Sequence, residues 1–158
     1  IIATTGWTTS NLSQAMDAQQ IDTAQFDLVS LLIGVNNQYQ GLSLEQYEVE
    51  FSALLERAVD LAGGQSDRVF VVSIPDYGYT PFGQNNQVAI SQDLANFNAA
   101  CTALTLSAGI AHYNITPISQ QWPGASDWVA PDGLHPSAAQ YAAWVGAFAA
   151  PEEQQLLD

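Results

Sequence analysis

Cationic side chains are almost absent from this sequence. Its 158 residues include no lysine and two arginines, Arg57 and Arg68, against 16 acidic residues, for a formal net charge of -14. Nucleic-acid binding depends on clustered cations that contact phosphates, and binding to anionic lipid depends on basic patches. The composition therefore argues against both partners, and we interpret the acidic excess as a solubility feature.

Cysteine and long apolar runs are also scarce. Cys101 is the only cysteine, so neither an internal disulfide nor a cysteine-based metal cluster is possible, and no local pattern pairs it with a histidine. The longest apolar run, 28–35, is interrupted by Ser30 and is much shorter than the roughly 20 residues of a membrane-spanning helix. Residue 1 is Ile and no signal-peptide pattern is present, which leaves the compartment open.

Apolar periodicity alternates between strands and helices. Near-continuous apolar runs predict strands buried on both faces at 25–33 and 68–74, with further strands at 1–4 and 110–115. Helical spacing predicts helices at about 10–18, 43–62, 88–107 and 137–150. This alternation predicts an α/β fold with a three-layer, flavodoxin-like parallel sheet. We expect one domain over 1–150 and a tail over 151–158.

Capping residues and a proline predict where several helices begin or end. Ser10 or Asn11 is expected to cap the first helix, and Ser43 with Gln46 has the spacing of a capping box for the second. The last helix is expected to end at Pro151. The predicted buried stripes of the third and fourth helices are Val88, Leu94, Phe97, Cys101 and Leu104, and Tyr141, Val145 and Phe148.

The two histidines have different settings. His112 lies in the middle of a predicted strand, where a structural role is expected. His135 lies in a loop three residues after Asp132, and in such a turn the carboxylate can hold one ring nitrogen while the other points outward. Because a loop Asp near a His is commonplace, spacing alone leaves a catalytic pair and an ordinary turn both open.

Two further strand ends carry candidate oxyanion donors. Asn36, in Gly-Val-Asn-Asn after the second predicted strand, can direct its amide at an oxyanion, or can belong to a tight turn. Gly6 can present a backbone N–H where a side chain would clash, or can be a turn glycine.

Taken together and in order, Gly6, Gly34-x-Asn36 and Asp132-x-x-His135-Pro136 resemble the SGNH (GDSL-like) hydrolases. The stretches 73–82 and 115–119 also resemble bacterial members, so the similarity covers nearly the whole chain. The resemblance implies that Gly6 and Asn36 stabilise the oxyanion and that Asp132 and His135 are the acid and base of a catalytic triad. It implies no metal and no cofactor.

The sequence departs from the family pattern in two places. Asn37 stands where the family usually has Asp. The block Gly-Asp-Ser, which carries the nucleophile and ends a central strand, does not occur in residues 1–158, and no serine within them has a nucleophile signature. We therefore expect the serine to lie in an upstream segment or another chain, and residues 1–158 alone to be inactive.

The resemblance implies a serine ester hydrolase acting through an acyl-enzyme. The substrate is expected to be a small or short-chain ester, since no lid or lipid-facing helix is evident. The candidate pocket walls are aromatic loop residues that can equally be loop packing: Tyr77, Tyr79, Phe82, Trp122 and Trp128. The alternative is a non-catalytic binding or structural fragment of the same fold.

Overall fold

The computed structural model describes residues 1–21 and 25–157, and for 150–157 it describes the course of the helix alone. The chain divides into two compact units. The first comprises Ile1–Ile74 and Asn96–His112, and the second comprises Pro75–Ala95 and Tyr113–Asp158. Asp158, the last residue of the predicted tail, lies outside the described residues.

Three strands form one parallel sheet within the described residues, in the order β1-β2-β3. Their bounds are β1 Val29–Leu31, β2 Val69–Val72 and β3 Ala111–Tyr113. Strands β1 and β2 pair with Val29 opposite Val69 and Leu31 opposite Val71. All four residues of β2 are buried, as its apolar run predicts. The predicted α/β class with a parallel sheet is confirmed.

Strand β1 is shorter and more exposed than its sequence predicts. Only Val29–Leu31 pair with β2, whereas the expected strand covered 25–33 and was buried on both faces. Phe26 and Leu32 are 46% and 40% exposed. The Phe26 N–H donates to the Leu61 carbonyl at 2.8 Å instead of joining the sheet. Since β1 is an edge of the described sheet, apolar residues beyond the ladder are left partly uncovered.

The first helix, α1 (Thr9–Gln19), is preceded by irregular backbone. The strand predicted at 1–4 is not formed, because these residues pair with no described strand. The cap is Thr8, and the predictions of Ser10 and Asn11 as caps were wrong. The Thr8 hydroxyl accepts the Asn11 N–H at 3.4 Å, and the Asn11 side chain accepts the Thr8 N–H at 3.1 Å. This reciprocal pairing is a capping box.

Helix α2 covers Val35–Tyr39 and helix α3 covers Leu44–Leu61. Ser43 caps α3 as predicted, since its hydroxyl accepts the Gln46 N–H at 3.1 Å. The Gln46 side chain does not complete a box but donates to Glu50 at 2.8 Å. The buried face of α3 packs against α1 and β1, and it consists of Tyr47, Phe51, Leu54, Leu55, Ala58 and Leu61.

The remaining helices are α4 Gln87–Ser107, α5 Thr116–Ser119 and α6 Ala138–Leu157. Val88 was wrongly assigned to the buried stripe of α4, since it is 78% exposed. In α6, Tyr141 and Val145 are about half exposed, and among the side chains described in this helix Gln140 and Trp144 are buried and Phe148 is half-buried. The packed face is therefore offset by one residue from the predicted one at Tyr141 and Val145, but not at Phe148. Pro151 does not end α6.

Within the described residues, no helix combines the length and the hydropathy that a bilayer-crossing segment needs.

Candidate active site

Gly34 shapes the backbone that carries Asn36. It is the residue before the first turn of α2, with a φ of 126° that disfavours side chains. A Cβ at this position would lie 2.7 Å from Cε2 of Tyr47 and 2.8 Å from Cδ1 of Ile74. Only glycine fits here, because the buried ring of Tyr47 on α3 fills the space that a side chain would need.

Asn36 and Gly6 are brought together in the first unit. The Asn36 amide donates one N–H to the Trp7 carbonyl at 3.0 Å, and Gln40 Nε2 donates to the Gly6 carbonyl at 3.2 Å. Among the described residues, the second Asn36 N–H and the Gly6 N–H have no hydrogen-bond partner. Both donors that the sequence analysis assigns to an oxyanion thus remain available for another acceptor.

The reason for glycine at position 6 differs from the expected one. A Cβ there would meet nothing within 4 Å, so no clash excludes a side chain. The residue instead has a φ of 85° in a turn that the Trp7 N–H closes on the Thr4 carbonyl at 3.3 Å. Glycine is preferred because the third position of such a turn needs a positive φ.

Asn37 forms hydrogen bonds with Thr9, which follows Gly6 and Trp7 in the chain. It is fully buried, its Nδ2 donates to the Thr9 hydroxyl at 2.6 Å, and its Oδ1 accepts the Thr9 N–H at 3.0 Å. The departure from the family's Asp therefore leaves the turn with two buried hydrogen bonds. No local sequence pattern indicates this pairing, because 28 residues separate the partners.

Residues 129–136 form a narrow hairpin in the second unit. An antiparallel bridge closes its base. Inside it, the Ala130 N–H donates to the His135 carbonyl at 2.8 Å, and the Gly133 N–H donates to the Ala130 carbonyl at 3.0 Å. These bonds fold the four residues from Asp132 to His135 into a tight turn.

The carboxylate of Asp132 holds both the backbone and the ring of His135. Oδ1 accepts the N–H groups of Leu134 and His135 at 2.9 and 3.0 Å. Oδ2 lies 2.7 Å from Nδ1 of the His135 ring. With an ionised carboxylate, this pairing keeps the ring proton on Nδ1 and leaves Nε2 as the basic nitrogen. Nε2 makes no hydrogen bond to any described residue.

The same hydrogen bonds keep Asp132 ionised. The N–H of Leu134, the N–H of His135 and the His135 ring lower the pKa of Asp132 to about 2. A lowered carboxyl pKa means that the charge, and the pairing that depends on it, is lost only as the pH falls through about 2. Near neutral pH, Asp132 is therefore an anion that can orient an imidazole and stabilise an imidazolium.

A loop with three of the predicted aromatic residues is attached to this hairpin. The Phe82 N–H donates to the Gly133 carbonyl at 2.9 Å. The Phe82 ring is 53% exposed, and its centroid lies 6.5 Å from that of Tyr77. Tyr77 and Tyr79 are half-buried in a short 3-10 helix. Phe82 is thus an exposed aromatic surface fixed next to the Asp132–His135 turn.

Trp122 and Trp128 are both half-buried in the loop before α6. The Trp128 indole N–H donates to the Ile118 carbonyl at 2.6 Å, and the Trp128 carbonyl accepts the Gln140 amide at 2.9 Å. These bonds give Trp128 a structural role in the loop. A substrate contact for either tryptophan stays a prediction.

Asp76 is a buried acid that the sequence analysis missed. It is 2% exposed, and its carboxylate accepts the Gly78 N–H at 2.9 Å, the Ser91 hydroxyl at 2.6 Å and Gln120 Nε2 at 3.0 Å. Asp76 therefore connects the start of the loop that carries Phe82 to α4 and to the residue after α5. The one available signal was an acid directly after the Ser-Ile-Pro end of a buried strand.

Cys101 and His112 meet in the first unit, although no local pattern linked them. Sγ and Nε2 are 4.0 Å apart, and the Thr102 hydroxyl is 3.4 Å from the same nitrogen. Burial raises the pKa of the Cys101 thiol to about 11 and lowers the pKa of His112. These directions oppose a thiolate–imidazolium pair, so the contact is structural packing. In the described part of the chain, no group of three or more His, Cys, Asp or Glu could hold a metal ion.

The sequence profile of the GDSL-like lipase/acylhydrolase family matches residues 1–143. No curated protein matches the sequence.

Several solved structures share the fold. A lipase/acylhydrolase from Enterococcus faecalis aligns with a TM-score of 0.71 at 14% identity, over 95% of this chain and 72% of its own. The psychrotrophic esterase EstA from Pseudoalteromonas sp. gives 0.67 at 15%, over 97% and 75%. Axe2, an acetylxylan esterase from Geobacillus stearothermophilus, gives 0.65 at 17%, over 96% and 68%. At these identities the alignments establish the fold.

Proposed function

The chain belongs to the GDSL-like lipase/acylhydrolase family, and on this basis we propose that the full-length protein is a serine hydrolase of carboxylic esters. The observation that carries the proposal is the Asp132–His135 pair. Its 2.7 Å contact fixes the ring so that Nε2 is the basic nitrogen, and Nε2 has no described protein partner. This is the geometry that a general base needs before a nucleophile is added.

The proposed reaction has two halves. The hydroxyl oxygen of the nucleophilic serine attacks the acyl carbonyl carbon while His135 Nε2 takes the hydroxyl proton, and that proton then leaves with the alcohol. Water attacks the resulting acyl-enzyme and gives its proton to the same nitrogen, which passes it to the serine oxygen as the acyl–serine bond breaks and the carboxylic acid leaves. Asp132 stabilises the imidazolium in both halves, and the Gly6 N–H and the Asn36 amide donate to the oxyanion.

The nucleophile is assigned to a serine outside residues 1–158. The sequence of residues 1–158 contains no Gly-Asp-Ser block. Of the four serines in the second unit, Ser91 donates to Asp76, Ser119 donates to the Thr116 carbonyl and Ser137 accepts from Gln140, while Ser126 is exposed. A serine-to-alanine form of Axe2 is described as a catalytic mutant, which supports a serine mechanism for this fold. Residues 1–158 alone are accordingly expected to be inactive.

We propose a small, uncharged ester as the substrate. The net charge of -14 disfavours an anionic substrate. Axe2 is described as an acetylxylan esterase, which supports a small acyl group. Phe82 is the leading candidate for the pocket wall, because its exposed ring is fixed to the Asp132–His135 turn, and Tyr77, Tyr79, Trp122 and Trp128 are further candidates.

The chain offers a matched pair of histidines for the test. In the full-length protein, His135→Ala is expected to reduce kcat for p-nitrophenyl acetate by at least about 10³-fold, since loss of the base disables the whole triad. His112→Gln, which changes the other histidine, is expected to retain most of the activity. Equal losses in both variants would contradict the assignment. A parent protein with no esterase activity would favour a non-catalytic binding or structural role.

A further inference from the structure

Three polar side chains from three helices form a hydrogen-bonded chain that links the segments carrying the proposed oxyanion donors, Gly6 and Asn36. Thr9 on α1 donates its hydroxyl to Oε2 of Glu50 on α3. Asn37 on α2 donates Nδ2 to the Thr9 hydroxyl oxygen at 2.6 Å and accepts the Thr9 N–H at 3.0 Å. Thr9 and Asn37 are both completely buried.

The direction of these bonds determines which residue can occupy position 37. A hydroxyl has one proton, and Thr9 gives it to Glu50, so the Thr9 oxygen can only accept from its second partner. An amide supplies the required N–H, whereas an ionised carboxylate does not. Glu50 is itself held in place, because its Oε1 accepts Gln46 Nε2 at 2.8 Å. The acid at position 50 therefore dictates the amide at position 37.

We propose that Asn37 is a positioning residue that, together with Thr9 and Glu50, fixes the Gly6–Thr9 segment relative to Asn36. The other bonds between this segment and α2, from Asn36 to Trp7 and from Gln40 to Gly6, are partly or fully exposed. A buried donor or acceptor left unpaired costs more than an exposed one that water can satisfy. The Asn37–Thr9 pair is therefore the main anchor, and its catalytic consequence rests on the proposed function.

The coupling can be tested by reversing the hydrogen bonds. Asn37→Asp places two carboxylates around one hydroxyl proton and leaves one carboxylate oxygen facing the Thr9 hydroxyl without a donor. In the double variant Asn37→Asp with Glu50→Gln, the Thr9 hydroxyl can donate to the new carboxylate. The new amide can then donate to the Thr9 oxygen, and its own oxygen can still accept from Gln46. The two bonds of the Thr9 hydroxyl are then reversed, while the bonds donated by the Thr9 N–H and by Gln46 keep their direction.

Thermal unfolding of the full-length protein measures how much the Asn37–Thr9 pair contributes to stability. Asn37→Asp is expected to lower Tm by about 10 °C, because an uncompensated buried charge is strongly destabilising. Glu50→Gln is expected to lower it by about 3 °C or less, and the double variant is expected to lie within about 4 °C of the parent. If Asn37→Asp fails to fold, a folded double variant supports the coupling. A double variant that is less stable than Asn37→Asp, or that also fails to fold, overturns it.

Two readouts separate positioning from stability alone. In ester hydrolysis, Asn37→Asp is expected to reduce kcat about 10- to 100-fold with little change in KM, and the double variant is expected to recover it. The backbone amide signals of Gly6 and Trp7 in 1H–15N spectra are expected to shift in Asn37→Asp and to return in the double variant. Because these signals need no turnover, they test the anchor even if the parent is not an esterase. Unchanged amide signals in a destabilised Asn37→Asp variant would contradict positioning.

Discussion

At the scale of single residues, the Asn36 amide makes one structural hydrogen bond and is proposed to donate a second one to the oxyanion. Its Nδ2 ties α2 to the Trp7 carbonyl at 3.0 Å, and its other N–H is assigned to the oxyanion. Asn36→Ala is expected to reduce kcat on the order of 10²–10³-fold, as loss of an oxyanion donor does. The measurement is kcat and KM for p-nitrophenyl acetate in the full-length protein.

Gln40→Ala is the matched control for that change. It removes a neighbouring tether to the same segment, the bond from Nε2 to the Gly6 carbonyl, without touching the proposed donors. Its kcat is expected to stay within a few-fold of the parent, because this exposed bond contributes little. If the two variants lose the same activity, or if Asn36→Ala loses less than about tenfold, Asn36 has only the structural role of bonding α2 to Trp7.

Residue-scale predictions from the sequence succeeded where the interaction is local. The Asp132–His135 contact involves a turn of four residues, so the spacing alone indicated it. The roles of Asn37 and Asp76 could not be predicted. The partners of Asn37 are Thr9, 28 residues away, and through it Glu50, while Asp76 contacts Gln120, 44 residues away. Only the folded chain brings such partners together.

At the scale of elements, the presence of the long helices and of the central strand was predicted better than their end residues and their buried faces. The strong apolar run of β2 and the Ser43 cap of α3 were identified correctly. Strand β1 was overestimated, because a ladder partner rather than an apolar run decides where a strand ends. The packed face of α6 was misplaced by one residue at Tyr141 and Val145, since residues 138–150 are apolar almost all round and small residues mark no clear stripe.

The hydrogen bonds of Asp76 are expected to stabilise the loop that carries Phe82. Asp76→Ala removes the acceptor of the buried Gly78 N–H and of two part-buried donors on Ser91 and Gln120. Since an unpaired buried donor costs about 1–3 kcal/mol and part-buried donors cost less, we expect Tm to fall by roughly 5–15 °C. The measurement is thermal unfolding followed by circular dichroism.

The control for Asp76→Ala is Asp127→Ala, which makes the same charge change at an exposed position in the same unit. It is expected to shift Tm by about 2 °C or less, as surface substitutions away from specific contacts do. Similar shifts in the two variants would show that the loss of charge, and not the loss of the buried hydrogen bonds, determines the result.

At the scale of the whole molecule, the family and the fold class followed from the order of short motifs along an alternating strand and helix pattern. Residues 1–143 match the GDSL-like lipase/acylhydrolase profile, and the aligned solved structures share the α/β architecture. The activity did not follow in the same way, because the proposed base, its acid partner and the proposed oxyanion donors would still need an attacking oxygen.

In the proposed mechanism, His135 activates a serine that lies outside residues 1–158. The decisive experiment is to treat the full-length protein and its His135→Ala variant with a fluorophosphonate and to locate the label by peptide mass spectrometry. We predict one stoichiometric label in the parent, on a serine outside residues 1–158, and almost none in the variant. A stoichiometric label on a serine within residues 1–158, or equal labelling of the two proteins, would contradict the account.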